Sequence, residues 1–243
     1  MKIGSFEVYY ISHVCFIFKT LSGQILITDP FFGAGFFWNG HYEKYLSPPD
    51  IKISEIKKCD VVFVSHIHPD HYDPVAVMSI LSTTNARVIA PADVIDDLIS
   101  KGADKKSLVA ANEGERFEFS DLEVSVFCGY DDSFDKKGRP NKFSLVLENA
   151  STAFFYSGDC HSLPPAVLGR RFNAIFCWSM CDNETKIRGL CEDIKTSKFV
   201  MMHGDRFEPG NFFCNRDMEK DKNIMQKLFP DLEIIIPNRI SKL

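Results

Sequence analysis

Several features are missing from this chain of 243 residues, and each absence narrows its class. It has no run of about 18 apolar residues, so no membrane-spanning helix is expected. The first residues lack the apolar centre and small-residue cleavage site of a secretory signal, which predicts a cytoplasmic protein. The basic excess typical of nucleic-acid surfaces is absent too, since the net charge is −5. We therefore expect a small-molecule substrate, no nucleic acid and no membrane, and nothing in the sequence indicates an oligomeric state.

Paired cysteine motifs are also lacking. The eight cysteines form no CxxC pair, and most of them lie in apolar stretches. In a chain without a secretory signal this distribution indicates reduced thiols in a core. Cys177 and Cys181 have no second pair with which to make a zinc knuckle, so we interpret them as structural.

The elements that are present follow one order twice. Each half begins with apolar strands in hairpins and continues with strand–helix units that end in polar turns, without a linker between the halves. This order predicts a single α+β domain over residues 1–243, with two mixed β-sheets packed together and helices outside. The predicted helices cover residues 75–81, 91–101, 186–194 and 217–229.

Residues 31–50 interrupt this order with an aromatic, glycine-rich segment. A loop of this length inside a compact domain is often a binding loop or a lid. Its aromatic residues can equally cap the core, and the sequence leaves the two interpretations open.

The densest group of polar residues is the motif His66-Ile67-His68-Pro69-Asp70-His71, which follows the apolar run 61–64. A strand, a short polar turn and a helix are predicted here, so the four ligand-type residues are expected on a loop at the carboxyl end of a buried strand. On a strand, positions 66 and 68 point to the same face, so both imidazoles can bind one ion. Asp70 and His71 then lie past the strand end and can turn to a second ion. Imidazole nitrogen and carboxylate oxygen together suit zinc, manganese and iron.

Neighbouring residues are predicted to hold this motif in place. Asp73 is a candidate N-cap, and Pro74 suits the first position of the helix that follows. Asp29, at the end of an earlier strand, is expected to orient the motif without binding metal itself.

Two distant strand ends supply further candidate ligands, Asp159 after residues 153–158 and His203 after residues 198–202. His161 can serve as a proton donor or a substrate contact. His13 either reaches the site or makes a structural hydrogen bond at its strand end. His41 is interpreted as an exposed residue of the aromatic segment.

The HxHxDH motif at 66–71, the SGD ending at Asp159 and the late His203 resemble the metallo-β-lactamase superfamily. The stretches ISHVCFIF, ILITDP and KFVMMHGDRF are most similar to the branch that contains the ascorbate-6-phosphate lactonases. The resemblance implies a four-layer αββα sandwich with one or two divalent metal ions at one edge. It implies that the first ion is bound by His66 and His68, that the second is bound by Asp70, His71 and His203, and that Asp159 bridges the two.

One position departs from the family pattern. The family usually has another histidine after the strand that here covers residues 124–127, where this chain has Cys128-Gly129-Tyr130-Asp131. Cys128 or Asp131 can substitute, because thiolate and carboxylate both bind such metals. Otherwise the first site is weakened or empty.

The leading hypothesis is a hydrolase, zinc-dependent in the first instance, with manganese or iron as alternatives. A metal-bound hydroxide would attack a small ester, lactone or phosphoester. Asp70 would orient that hydroxide or accept its proton, and His161 would protonate the leaving group. Iron-dependent redox or oxygen chemistry and a metal-binding protein without turnover are the alternatives. Arg170, Arg171 and Arg206 are compatible with a phosphorylated or carboxylated substrate.

Overall fold

Runs of β-branched and aromatic residues form most of the regular structure, as their preference for strands predicts. The computed structural model describes residues 1–128, 134–160, 163–178, 193, 195–204, 207–208 and 217–242. The strands up to Ala110 are β1 (Lys2–Ile3), β2 (Phe6–Ser12), β3 (Cys15–Thr20), β4 (Ile25–Thr28), β5 (Gly35–Trp38), β6 (His41–Lys44), β7 (Val61–Phe63), β8 (Arg87–Ala90) and β9 (Leu108–Ala110). Those after it are β10 (Arg116–Phe119), β11 (Leu122–Cys128), β12 (Phe143–Glu148), β13 (Ala153–Tyr156), β14 (Arg171–Phe172), β15 (Ala174–Trp178), β16 (Lys195–Thr196), β17 (Lys198–Met202) and β18 (Glu233–Ile235).

The α-helices of the described residues are α1 (Pro74–Thr83), α2 (Ala92–Ser100) and α3 (Met218–Leu228). The predicted cap of α1 is confirmed, because the Asp73 carboxylate accepts hydrogen bonds from the backbone N–H groups of Val75 and Ala76. Apart from residue 193, which is helical, the helix predicted over residues 186–194 lies outside the described residues. Within the described part of the chain, no helix is long and apolar enough to cross a membrane.

The strands form two seven-stranded sheets in which antiparallel and parallel strands follow the same order. The first sheet has the order β1-β2-β3-β4-β7-β8-β9, and the second has β10-β11-β12-β13-β15-β17-β18. In each sheet the first four strands are antiparallel neighbours and the later ones are added in parallel. The predicted repetition of hairpins followed by parallel units is therefore confirmed.

Three hydrophobic layers stack through the molecule. Inner faces of both sheets meet in a core that includes Phe16 and Phe18 from the first sheet and Phe154 and Phe176 from the second. The outer face of the first sheet packs against α1 and α2, and that of the second sheet packs against α3 through Met225. A fully buried phenylalanine stabilises the fold by roughly 1.5–3 kcal/mol, so the core between the sheets is the main source of stability. The protein is thus a four-layer αββα sandwich, as predicted.

The aromatic segment 31–50 is not the irregular loop that its composition predicts, since it contains the hairpin of β5 and β6. Phe31, Phe36 and Tyr45 are buried in a small cluster of their own, whereas Phe37 at the hairpin tip is 69% exposed. The segment therefore caps an edge of the core, and its hairpin projects beside the polar strand ends described below.

Candidate metal centre

The candidate residues lie where strands end at one edge of the sandwich. β4 and β7 are parallel and run in the same direction as β2, because β3 is antiparallel to both β2 and β4. β13, β15 and β17 form the parallel part of the second sheet. The carboxyl ends of these strands carry the polar residues that sequence reasoning selected, in chain order His13, Asp29, the motif of residues 66–71, Asp159 and His203.

The motif forms a loop between β7 and α1. β7 ends at Phe63, so the prediction that His66 and His68 share the face of a strand is wrong. A turn brings the two imidazoles together instead, with ring centroids 4.5 Å apart. The N–H groups of His71 and Tyr72 both donate to the carbonyl oxygen of His68, which closes this turn.

Seven side chains form two groups. Within each group, every residue offers one nitrogen or oxygen atom, and these atoms all lie within 4.8 Å of one another. The first group contains His66, His68 and Asp159. The second group contains His13, Asp70, His71 and His203. All six predicted ligands therefore come together, but their role as ligands stays a prediction.

Asp159 lies between the two groups. Its Oδ2 is 3.3 Å from Nε2 of His66, whereas its Oδ1 is 3.1 Å from Nε2 of His71 and 3.4 Å from Nε2 of His203. Gly158 makes this approach possible: it has φ +54°, and a Cβ there would lie 2.8 Å from the Cβ of Ser65. One carboxylate thus faces both groups, the arrangement that a bridging ligand requires.

A buried hydrogen-bond network centred on Asp29 orients the loop. Its Oδ1 accepts a hydrogen bond of 2.6 Å from the Ser65 N–H. Its Oδ2 accepts from the Ser65 hydroxyl at 2.7 Å, from the Tyr156 hydroxyl at 2.6 Å and from Nδ1 of His71 at 2.8 Å. Because the carboxylate fixes Nδ1 as the donor, Nε2 of His71 is left to face Asp70 and Asp159.

The two groups differ in charge. Burial and the neighbouring His71 lower the pKa of His66, and burial and His66 lower the pKa of His68 to about 4. Burial opposes the charged form of His71 as well, but Asp159, Asp70 and Asp29 together raise its pKa well above the usual value. Burial would raise the pKa of Asp70 and Asp159, yet the charge on His71 holds both well below their usual range. Three carboxylates therefore surround His71, and the proton on its imidazole balances their charge in a position that a metal cation could take instead.

Four buried atoms test whether a divalent metal ion fits. Nε2 of His66, Nε2 of His71, Oδ1 of Asp70 and Oδ1 of Asp159 make no hydrogen bond with other described residues. Buried polar atoms are normally satisfied, and imidazole nitrogens and carboxylate oxygens are the common ligands of zinc, manganese and iron. The residues present fit such ions.

Other predicted residues fall elsewhere. His161, Asp131 and Arg206 lie outside the described residues. Cys128 joins neither group, and burial together with Glu113 raises the pKa of its thiol to about 12, which disfavours the thiolate that would bind metal. Arg170 pairs with Glu148 at 2.8 Å, near the β12–β13 turn and remote from the strand ends that carry the site. His41 is exposed, as expected.

Sequence reasoning missed two aromatic contacts. Trp38, in the hairpin, lies edge-to-face against His68 with ring centroids 5.0 Å apart. Trp178, the last residue of β15, stacks on His203 at 5.2 Å. The chain has only these two tryptophans, and the placement of Trp178 at a strand end was a usable signal.

The fold and the site together define the class of protein. A sequence model described as the beta-lactamase superfamily domain matches residues 24–185, well over half of the chain. The chain belongs to this superfamily.

Among curated proteins, the chain is 28% identical over 121 residues to a UPF0173 protein of Pyrococcus abyssi. The match covers 50% of this chain and 47% of that protein, so the chain spans about half the length of this relative.

Solved structures extend the likeness to the whole fold. An isothiocyanate hydrolase from Delia radicum gut bacteria has a TM-score of 0.70 at 14% identity, over 95% of this chain and 96% of that one. CmlA, a diiron β-hydroxylase from Streptomyces venezuelae, has a TM-score of 0.65 at 12% identity, over 97% of this chain and 54% of that one. At these identities the likeness shows a shared fold alone.

Proposed function

We propose that this protein is a metal-dependent hydrolase. The observation that carries the proposal is the pair of ligand groups that share Asp159 at the strand ends of a metallo-β-lactamase fold. His66, His68 and Asp159 would hold one ion, and Asp70, His71 and His203, with Asp159 between, would hold the other. A divalent ion bound here supplies Lewis acidity and lowers the pKa of a bound water to ~7. Zinc is the first choice, with manganese or iron as alternatives.

The residues of the chain supply positioning and proton handling. Asp29 and Ser65 hold His71 in one orientation, so the ligand geometry is set before substrate enters. Asp70, buried and ionised, is placed to orient the attacking water or accept its proton. His161, two residues after Asp159, stays the proposed donor to the leaving group.

The substrate we propose is a small ester, lactone or phosphoester that carries a negative charge, as in the lactonase branch that the motifs resemble. Lys142 supports this class. It is partly buried, it precedes Phe143, whose N–H donates to the carbonyl oxygen of Ser65, and its charge contributes to the lowered pKa of His68. Lys142 forms no ion pair with the residues that the structure describes, so it remains available for an anionic group of the substrate.

Metal content and turnover test the proposal together. We expect one or two zinc or manganese ions per chain after purification from metal-replete medium, and hydrolysis within a panel of lactone, phosphodiester and thioester substrates. His68→Ala and Asp70→Ala should abolish that hydrolysis while circular dichroism stays unchanged, and His41→Ala, which changes an exposed histidine, should leave it intact. Activity retained in both site variants, or a metal content well below one per chain, would overturn the proposal.

Lys142→Met tests the substrate class separately. A charge-assisted hydrogen bond contributes ~1.5–3 kcal/mol, so KM for an anionic substrate should rise at least about tenfold. The KM for an uncharged ester should stay within about twofold. Equal effects on both substrates would contradict recognition of an anion by Lys142.

Iron-dependent oxygen chemistry is the second candidate, and the first group favours it. Two histidines and one carboxylate are the ligand set of non-haem iron oxygenases. The diiron β-hydroxylase CmlA shares the fold. Coloured protein with iron as the resident metal, and oxygen consumption in place of hydrolysis, would replace the hydrolase with this alternative.

We also propose a cytoplasmic setting and a small-molecule partner. The thiols of Cys15, Cys59, Cys128, Cys160 and Cys177 are all free, which suits a reducing compartment. The acidic balance of the chain argues against a nucleic-acid partner.

A further inference from the structure

The two-residue turn between β2 and β3 places His13 inside the second group. Its imidazole is 1% exposed, its Nε2 is 3.4 Å from Oδ2 of Asp70, and its ring centroid is 4.0 Å from that of His203. One ligand atom of each of His13, Asp70, His71 and His203 lies within 4.8 Å of the others. His13 thus lies within ligand distance of the same point as the two residues of the motif in this group.

The backbone is strained at this position. His13 has φ +48° and His203 has φ +61°, a left-handed region that residues other than glycine rarely adopt. The N–H of His203 donates to the carbonyl oxygen of His13 at 3.0 Å, so the two strained strand ends hold each other. Strain of this kind persists where the surroundings enforce it, and it concentrates at functional sites.

A structural hydrogen bond to Asp70 explains the arrangement less well. Oδ2 of Asp70 makes a long hydrogen bond of 3.4 Å with Nε2 of His13, and it lies 3.3 Å from His203 and 3.7 Å from His71. Good N–H···O hydrogen bonds measure 2.7–3.2 Å, and none of these three distances falls in that range. Three imidazoles that converge on one carboxylate, each slightly too distant, have the spacing of ligands around a common centre.

We propose that His13 is a further protein ligand of the second ion, in addition to Asp70, His71, His203 and the shared Asp159. Apart from the shared Asp159, four side chains would then hold the second ion, whereas two, His66 and His68, would hold the first. Structural metal sites are usually closed by four protein ligands, and catalytic sites keep a position for water or substrate. The second group would therefore retain its metal tightly, and the first would keep a position where water or substrate can exchange. This inference rests on the metal binding in the proposed function.

His13→Asn is the variant of choice, because asparagine tolerates the left-handed backbone that alanine would strain. His41→Asn is the matched control, since His41 is exposed and lies in neither group. Metal-free protein of each kind is titrated with Zn²⁺ in a calorimeter, and thermal unfolding checks the fold. In the unchanged protein we expect two classes of affinity.

In the His13→Asn protein, the affinity of the tighter class of site for Zn²⁺ should fall by more than ~10-fold. That is the low end of the loss caused by removing a residue that only orients a metal ligand. The weaker class and the His41→Asn protein should be unchanged. Equal affinities in His13→Asn and the unchanged protein would overturn the proposal.

X-ray absorption on the unchanged protein with one equivalent of Zn²⁺ decides the matter even if the variant fails to fold. Three imidazoles, from His13, His71 and His203, are expected around the ion, and two would overturn the proposal. Protein that binds no metal would refute both this inference and the proposed function. Protein that binds two ions as described but hydrolyses nothing would refute the function alone.

Discussion

The two ligand groups share Asp159 and the same edge of the sandwich, yet they differ in burial and charge. In the second group His13, Asp70 and His71 are buried, and two carboxylates lie within reach. In the first group His68 is only partly buried and contacts Trp38 of the projecting hairpin. The comparison indicates a division of labour in which one group retains metal and the other meets the substrate.

Electrostatics supports the same division. The imidazoles of the first group have lowered pKa values, so they are neutral at physiological pH and offer lone pairs but no charge. Asp29, Asp70 and Asp159 lie 2.8, 3.7 and 3.1 Å from His71 of the second group, so a metal cation that replaces the proton on His71 is attracted by three carboxylates. We therefore expect the second group to fill first when metal is added.

Asp159→Asn is expected to have the largest effect, because it removes the carboxylate that both groups share. Affinity for the first and second metal equivalents should both fall by more than the ~10- to 100-fold typical of an outer-shell change, and hydrolysis should be lost with them. Calorimetric titration with Zn²⁺ measures both steps. Asp121→Asn, at an exposed turn, is the control. Loss of only one binding step would show that Asp159 serves one group and that the two are independent.

Asp29→Asn is expected to separate the groups. Asp29 hydrogen-bonds directly to His71 but reaches His66 of the first group only through the Ser65 hydroxyl, so the tighter binding step should weaken more than the other, by ~10- to 100-fold. Tyr156→Phe removes one of the hydrogen bonds that orient Asp29 and should have a smaller effect in the same direction. Equal weakening of both steps would mean that Asp29 supports the loop as a whole rather than His71.

Much of this site follows from the sequence because its residues stand at the ends of apolar strands. Asp159 and His203 were identified in this way, and parallel strands then bring such ends to one edge. The expectation that His66 and His68 lie together rested on a strand that stops at Phe63, and a turn brings the two imidazoles together instead.

The contacts that sequence reasoning left open depend on the packing of two sheets. His13 meets His203 only because β2 in the first sheet and β17 in the second end at the same edge, which no local pattern encodes. Tyr156 reads as an ordinary core residue of β13, and its hydrogen bond to Asp29 crosses between the sheets. The β5–β6 hairpin was not predicted, because the alternation of apolar and polar residues in its strands is short and the segment is rich in glycine.

The two tryptophans allow the order of filling to be observed with the smallest disturbance. Trp38 contacts His68 of the first group, and Trp178 stacks on His203 of the second. The Trp38→Phe and Trp178→Phe proteins each retain one tryptophan as a fluorescence reporter. Neither substitution removes a metal ligand, so metal affinities should change by less than ~3-fold, which corresponds to ~0.7 kcal/mol. Co²⁺ quenches the fluorescence of a nearby indole. The first equivalent should therefore quench Trp178 in the Trp38→Phe protein, and the second should quench Trp38 in the Trp178→Phe protein. The reverse order would assign the tighter site to the three-ligand group and contradict the division of labour, because it would show that the more open ligand set binds metal more tightly than the closed one.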